Sequence, residues 1–369
     1  MFDSRGVKYG ALRTARLFAV AVATWAGPSY ANDGFGALGA GGIVIGHTDK
    51  IAMVKEVLDI SHRYIQVDYE FVNESDSDVT ETVSFPLPPY SATPGVSGVI
   101  YGGSPLDFRI IVDRKPVKFE TRVWANLNGK DETDRLSSLG FTAKQIALVP
   151  FEKSVFDRHQ LSRPPEIMEA LKAEGLVDEY DSPIWEIQVA YEWQQTFPAH
   201  RTVHISHIYR SMISEGTAGG YFGPTNNVNG DAWLRKEFCA DDTMLGKMHQ
   251  LYEIKDNLDV YGDVPGTQVK YVLITGNTWK DGIRDFTLRI RKGAPYEIVS
   301  LCFGGTFKKI NGLTLEAQLK NFHPTSNLNI YFGNAWGYEG PNSNNPPVFD
   351  GTAIVYFTNV GARGMISVM

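Results

Sequence analysis

Two stretches of this sequence alternate between apolar and polar residues so regularly that only an extended chain can sort them. Ile65, Val67, Tyr69 and Phe71 alternate with Gln66, Asp68 and Glu70, and further on Trp185, Ile187, Val189, Tyr191 and Trp193 alternate with Glu186, Gln188, Ala190, Glu192 and Gln194. Successive side chains of a strand point to opposite faces, so each stretch becomes a strand with one buried and one wet face. A helix would scatter the same residues around its circumference. The inner face of the second stretch is mostly large and aromatic. Composition agrees: 12% aromatic residues and 36 Gly favour strands joined by turns, and 43% apolar with 21% charged residues excludes collagen-like, disordered and multi-span membrane chains. A chain of 369 residues has room for one large domain or two medium ones.

Further strands are expected at Ile43–Ile45, Ile51–Ile60 and Val79–Leu87, the last returning across a solvated turn at Asn73–Asp78 and stopped by Pro86, Pro88 and Pro89. Arg109–Val112 and Val117–Trp124 flank Asp113-Arg-Lys-Pro116 and read as a hairpin. Thr202–Tyr209 reads as the antiparallel neighbour of the Trp185 strand across Phe197-Pro198-Ala199. Between them the period changes. Asp131–Leu139 closes on Gly140, and Pro165–Glu174 starts with Pro and stops at Gly175, both helix patterns. Gly216–Gly230 reads as a long surface loop with room for a site, and Asp241–Leu251 as a later helix. Strands resume at 268–275, 284–291, 297–302, 314–319 and 327–331, and a Gly/Asn/Pro-rich linker leads to a final strand at Thr352–Phe357. No fixed-period repeat points to a solenoid or propeller. The expected fold class is mainly β, antiparallel and sandwich-like: two β halves, 32–128 and 182–331, joined by a helical insert, 129–181, with a tail at 332–369.

Arg5, Lys8, Arg13 and Arg16 precede an apolar run from Leu17 to Ala26 and the small pair Ser29 and Ala31, the three-part pattern of a secretory signal peptide over residues 1–31, cut after Ala31. The expected location is the periplasm or the exterior. The run is too short to span a bilayer, and no later run is long and apolar enough to do so. Loss of the leader removes four basic groups and Asp3, leaving the mature chain more acidic than the full chain's −7. Such a balance disfavours nucleic acid and anionic surfaces as partners. An oxidising compartment lets Cys239 and Cys302, the two cysteines, form a disulfide. Two other readings stand beside it. Both could be free structural thiols, or Cys239, ahead of the helix start Ala240-Asp241-Asp242-Thr243, could be a nucleophile, although two adjacent Asp side chains oppose a thiolate.

Candidate chemistry is sparse. His200, His204 and His207 suggest a metal, but on a strand His204 and His207 face opposite ways, while His200 and His204 lie ~13 Å apart at ~3.3 Å per residue, so no metal is expected. His207 is expected to pack inward beside Tyr209 and His204 to be wet. The acidic turn Asn73–Asp78 lacks the Gly and terminal Glu of a calcium loop. No nucleophile elbow, phosphate loop or dinucleotide fingerprint is present, and no cofactor is expected. Trp185, Tyr191 and Trp193, with Trp124, Trp233 and Trp279 elsewhere, are candidate aromatics for a glycan or lipid platform, against the plainer reading that they fill a core. His207, Asp241, Asp242 and His249 are the candidate polar site.

Several strings taken in order carry a resemblance. Ala31-Asn32-Asp33, Ala40-Gly41-Gly42, Val67-Asp-Tyr-Glu-Phe-Val-Asn73, Asp78-Val-Thr80 and Phe85-Pro-Leu-Pro88 are followed by Tyr191-Glu-Trp-Gln-Gln-Thr-Phe-Pro-Ala199, His207-x-Tyr209, Phe238-Cys239, Asn277-x-Trp279 and Ser300-Leu-Cys302. Over residues 31–331 the chain resembles the exported bacterial family known as domain of unknown function 4424. The resemblance implies a Gram-negative envelope setting and supports pairing Cys239 with Cys302. It carries no catalytic residue, since the family has no established activity. Asn73 followed by Phe85-Pro-Leu-Pro88 is also similar to the vault/inter-alpha-trypsin β-sandwich, an architectural analogy. The expected function is a non-catalytic envelope module that binds a ligand or protein partner or serves structurally. The alternative is an envelope hydrolase with a site between the β halves and the insert.

Overall fold

The computed structural model describes residues 34–39, 42–45, 47–93, 100–101, 108–151, 163–214, 228–257, 266–333, 348–349 and 354–355. The leader, most of the Gly216–Gly230 loop and most of the tail lie outside these residues.

The main strands are β1 (Ile51–Ser61), β2 (Tyr64–Asn73), β3 (Val79–Pro86), β4 (Arg109–Val112), β5 (Glu120–Leu127), β6 (Glu186–Phe197), β7 (Thr202–Arg210), β8 (Gly266–Tyr271), β9 (Lys280–Arg291), β10 (Ile298–Leu301), β11 (Thr314–Phe322) and β12 (Leu328–Gly333). The first sheet runs from Lys130–Asp131 through β5, β6 and β3 to Gly34–Gly39 and Gly42–Ile45. The second, of eight strands, has the order Lys308–Lys309, β11, β9, β1, β2, β7, β4, Lys115–Pro116. The third holds β10, β12, β8, Met212–Ser214 and Ile100–Tyr101. Among these pairings only β1 with β9 is parallel, so the fold is mostly antiparallel β.

The inner faces of the first two sheets meet ring against ring. Tyr191 of β6 stacks on Phe108 at 3.9 Å, Phe71 of β2 meets Phe197 of β6 at 5.8 Å, and His207 of β7 meets Trp193 of β6 at 5.4 Å. The third sheet reaches the same interior: its Tyr271 hydroxyl lies 3.3 Å from that of Tyr69, and its Phe332 ring meets His62 edge-on. The helical insert 129–181 holds α1 (Thr133–Ser138), α2 (Ala143–Leu148) and α3 (Pro165–Ala173). It buries Leu136, Ile146 and Leu171 in the same core. Gly140 and Gly175 end the first and third of these helices at φ +87° and +65°, as their positions predict. The second helix is legible only in its capping box, Thr142 with Gln145.

On the far face of the third sheet, α4 (Val228–Phe238) and α5 (Asp242–Asn257) bury Leu234, Phe238 and Met248 against Tyr331. Cys239, at the bend between these helices, is disulfide-bonded to Cys302 just past β10, and Ser300 Oγ donates to the Phe238 carbonyl at 2.9 Å beside it. The thiol alternatives for both cysteines therefore fall. Helix α4 begins inside the segment expected to be loop.

Three expectations about pairing are corrected. Regions 32–128 and 182–331 do not close sheets of their own: β6 lies between β5 and β3, and β7 between β2 and β4. Nor do β6 and β7 pair with each other. Each has one large apolar face, and two such faces bury more area opposed across a sandwich than side by side in one sheet. For the same reason the chain leaves Arg109–Val112 after a two-residue return at Lys115–Pro116 and crosses to the first sheet as β5.

The crossings β2 to β3 and β6 to β7 occur side by side, and one side chain closes both. Asn73 is fully buried. Its Nδ2 donates to the carbonyls of Ser77 and Phe197, each at 2.8 Å, and its Oδ1 accepts from the Ser75 N–H and hydroxyl at 2.9 and 2.7 Å. Its own carbonyl accepts from His200 N, and Asp78 Oδ1 accepts from Ala199 N. Glu74 then ties the corner to β9, with Arg284 at 2.6 Å and Lys280 at 2.7 Å. Asn73→Ala strips a donor from the buried Phe197 carbonyl and undoes the Ser75 turn, and we expect a loss of about 1–3 kcal/mol of unfolding free energy in urea titrations.

Candidate functional site

The residues nominated by sequence are distributed by the sandwich, not gathered by it. Trp185, Tyr191 and Trp193 are 1%, 0% and 4% exposed. Their alternation aimed them inward, and the second sheet and the insert cover them, so they form core and not a ligand platform. Trp124 and Trp279 are also buried, and Trp233 packs on Phe238 and Tyr331. His207 is enclosed by the rings of Tyr69, Phe85, Phe108 and Trp193. Asp241 caps α5 through Met244 N, Asp242 pairs with Arg235 at 2.5 Å, and His249 meets Asp231 at 3.2 Å, joining α5 to α4. These three sit on helices outside the third sheet, whereas His207 is inside the sandwich. The four do not form one site, which removes the constellation assumed for a hydrolase. Among the described residues no three His, Cys, Asp or Glu side chains are grouped to hold a metal ion.

The structure instead brings polar side chains together on the outer face of the second sheet. A cleft of about 550 Å³ is lined there by Lys55 of β1, Asp68 and Glu70 of β2, His204 and Ser206 of β7, and Arg114 of the turn after β4. Its carboxylates are engaged. Lys55 Nζ lies 3.0 Å from Glu70, and Asp68 accepts from Gln66 Nε2 at 2.8 Å and from the Ser206 hydroxyl. Asp113 Oδ1 accepts from His204 N at 3.0 Å while Asp113 N donates to the His204 carbonyl at 2.9 Å. This reciprocal clip holds the turn against β7. Asp113 and Arg114 both adopt positive φ, +47° and +67°, the geometry of a two-residue hairpin turn. The Arg114 and His204 side chains are exposed and have no hydrogen-bond or ion-pair partner among the described residues.

A second cleft, of about 510 Å³, crosses the first sheet, but there Arg122 is bracketed by Glu120 at 2.6 Å and Glu192 at 3.3 Å, so its charge is spent. Sequence reading missed the first cleft. Its residues come from three separate strands and a turn, and each is an ordinary surface charge along the chain.

A buried acid and base that are perturbed in opposite senses lie together elsewhere. His62, between β1 and β2, and Glu297, just before β10, have Nδ1 and Oε2 3.8 Å apart, with side chains 10% and 5% exposed. Gly293 donates its N–H to Glu297 at 2.7 Å, and a Cβ there would lie within 2.8 Å of both partners. Burial lowers the His62 imidazole from 6.5 to about 4, reinforced by Arg63. Burial also raises the Glu297 carboxyl from 4.5 to about 7, opposed by the Gly293 N–H and Lys292.

Fold and site together define an antiparallel β-sandwich that carries a helical insert, a stapled helix pair and a polar cleft on its outer face. The chain belongs to the family described as domain of unknown function DUF4424, whose model matches residues 31–331. No curated protein matches it. Among solved structures, a Legionella pneumophila protein described as a "putative nutrient binding protein" is 16% identical, over 82% of this chain and 71% of that one, with a TM-score of 0.38. Yeast LTA4 hydrolase, with bestatin and native, is 8% and 7% identical over 77% of this chain and 29% of that chain, with TM-scores of 0.26 and 0.25. Scores of this size do not establish a common fold.

The His62–Glu297 pair makes a signed prediction. His62, with its folded pKa below the unfolded value, loses stability as pH falls from 6.5 through 4. Glu297, with its folded pKa above the unfolded value, loses stability as pH rises from 4.5 through 7. The two slopes oppose each other between them. Glu297→Gln should therefore lose up to about 3 kcal/mol on acidification across the histidine range, and His62→Gln should gain a similar amount on acidification across the glutamate range. Denaturant midpoints measured at several pH values check both signs.

Proposed function

We propose that this chain is an exported, non-catalytic binding module of the bacterial envelope, and that the cleft on the second sheet holds a small carboxylate-bearing ligand. One observation carries the reading: Arg114, on a turn clipped to β7, and His204, on β7 itself, stand unpaired over a cleft whose own carboxylates already have partners. A guanidinium fork matches a carboxylate with two parallel hydrogen bonds, and a fixed turn reduces the ordering cost of binding. Val57 and Ile111 give the cleft an apolar floor beneath its charged rim. That combination suits a small acid with a short apolar body that is bound and released.

Export rests on the basic leader, the short apolar run and the small residues before Asn32. The Cys239–Cys302 bridge fits an oxidising compartment, and so does the family's envelope setting. Intact mass of the protein recovered from periplasm or medium should correspond to a chain beginning at Asn32. Retention of the leader would refute cleavage.

In a thermal-shift screen of small mono- and dicarboxylates against neutral sugars, acids should raise the melting temperature and sugars should not. Arg114→Ala should weaken binding at least about tenfold while leaving the ligand-free melting temperature unchanged. Acid binding that survives Arg114→Ala, or a screen in which no acid binds, would refute the assignment.

A further inference from the structure

One end of the molecule contradicts the acidic average of the chain. The loop Lys292–Glu297 between β9 and β10 lies beside the hairpin that runs from Lys308–Lys309 to β11. Lys292 N donates to the Leu313 carbonyl at 2.8 Å, and Ile310 N donates to the Thr314 carbonyl at 2.9 Å to close the hairpin. Three of the most exposed large apolar side chains among the described residues sit on these two tips: Tyr296 at 58%, Ile310 at 54% and Leu313 at 40%. Lys308 and Lys309 stand directly behind Ile310, both exposed. Lys292 is close enough to Lys309 and to Lys247 of α5 that both depress its proton affinity, after the larger effect of burial and against the pull of Glu297. None of these four lysines forms an ion pair among the described residues, and the half-buried Lys292 donates its ammonium to the Pro295 carbonyl.

Lysines gathered without ion pairs, in a chain of net charge −7, leave an anionic surface as the partner their charge would match. The apolar residues project from the ends of loops and do not line a groove. That shape suits insertion among headgroups better than reception of a peptide or helix. We propose that this end is a peripheral docking surface for an anionic lipid bilayer. The exposed Lys247, Lys308 and Lys309 take the phosphate plane, and Tyr296, Ile310 and Leu313 enter the interfacial layer. Attachment of this kind needs no spanning helix, and none of the described helices is long and apolar enough to cross a membrane.

The proposal is independent of the Arg114 cleft. Its test is co-sedimentation of the full mature chain with phosphatidylcholine vesicles, with and without phosphatidylglycerol. Binding is expected only to the mixed vesicles and should fall as salt rises. The double reversal Lys308→Glu/Lys309→Glu should reduce partitioning at least about tenfold. Tyr296→Ser/Ile310→Ser should also reduce it while preserving the salt dependence of what remains. Arg114→Ala should bind as the parent does. All these positions are exposed, and circular-dichroism melts control for folding. Equal binding to both vesicle types, no binding to either, indifference to the lysine reversal, or binding to soluble polyglutamate but not to vesicles would each overturn the proposal.

Discussion

The architecture depends on the buried side chain of Asn73. An asparagine amide presents two donors and an acceptor in one plane, and here each is used: the donors reach carbonyls on two different corners, and the acceptor closes its own turn. Aspartate would place lone pairs where Ser77 and Phe197 already place theirs, and an apolar residue would take the amide donor from the buried Phe197 carbonyl. Because the two corners are bound to each other, β2 and β7 remain neighbours in one sheet and β3 and β6 in the other. The aromatic faces of the two layers are thereby held in opposition. Glu74, one residue further, extends the constraint to β9, and the paired Arg284 and Lys280 hold its carboxyl down to about 2.

A sandwich closed in this way leaves little room for function inside. The interior is filled by Tyr69, Phe85, Phe108, Tyr191, Trp193 and His207, in mutual ring contact. Chemistry that meets solvent must then lie on the outer faces of the sheets and on the loops at their ends. Both surfaces assigned here, the clipped turn with Arg114 and the lysine-flanked tips at Tyr296 and Ile310, follow that rule. They also differ in kind. The acids of the cleft all have partners, Lys55 for Glu70 and neutral donors for Asp68 and Asp113, whereas the tip collects lysines that form no ion pair among the described residues, a distinction invisible in the net charge.

How much was legible varied with the range of the interaction responsible. The strands at Tyr64 and Trp185, the helix stops at Gly140 and Gly175 and the late strands follow from local period and local turn chemistry, and they stand where the residues indicated. The rings of Trp185, Tyr191 and Trp193 were readable as inward-facing, and burial confirms the plainer of their two readings. The cleft was not readable. Lys55, Glu70, Arg114 and His204 converge because four separate register choices place them on one face, and no spacing along the chain encodes that. The His62–Glu297 pair is hidden for the same reason, with a glycine that only its neighbours explain.

Alternation is a one-dimensional property, so the chain's own order was enough to decide which residues form strands and which face of each strand is dry. It could not decide which dry face meets which. That choice is made by burial summed over whole sheets and by the Asn73 corner, both of which act between residues more than a hundred positions apart. Hence two β regions that look separate along the chain are threaded through the same sheets, and β6 and β7, consecutive in sequence, face each other across the core instead of pairing.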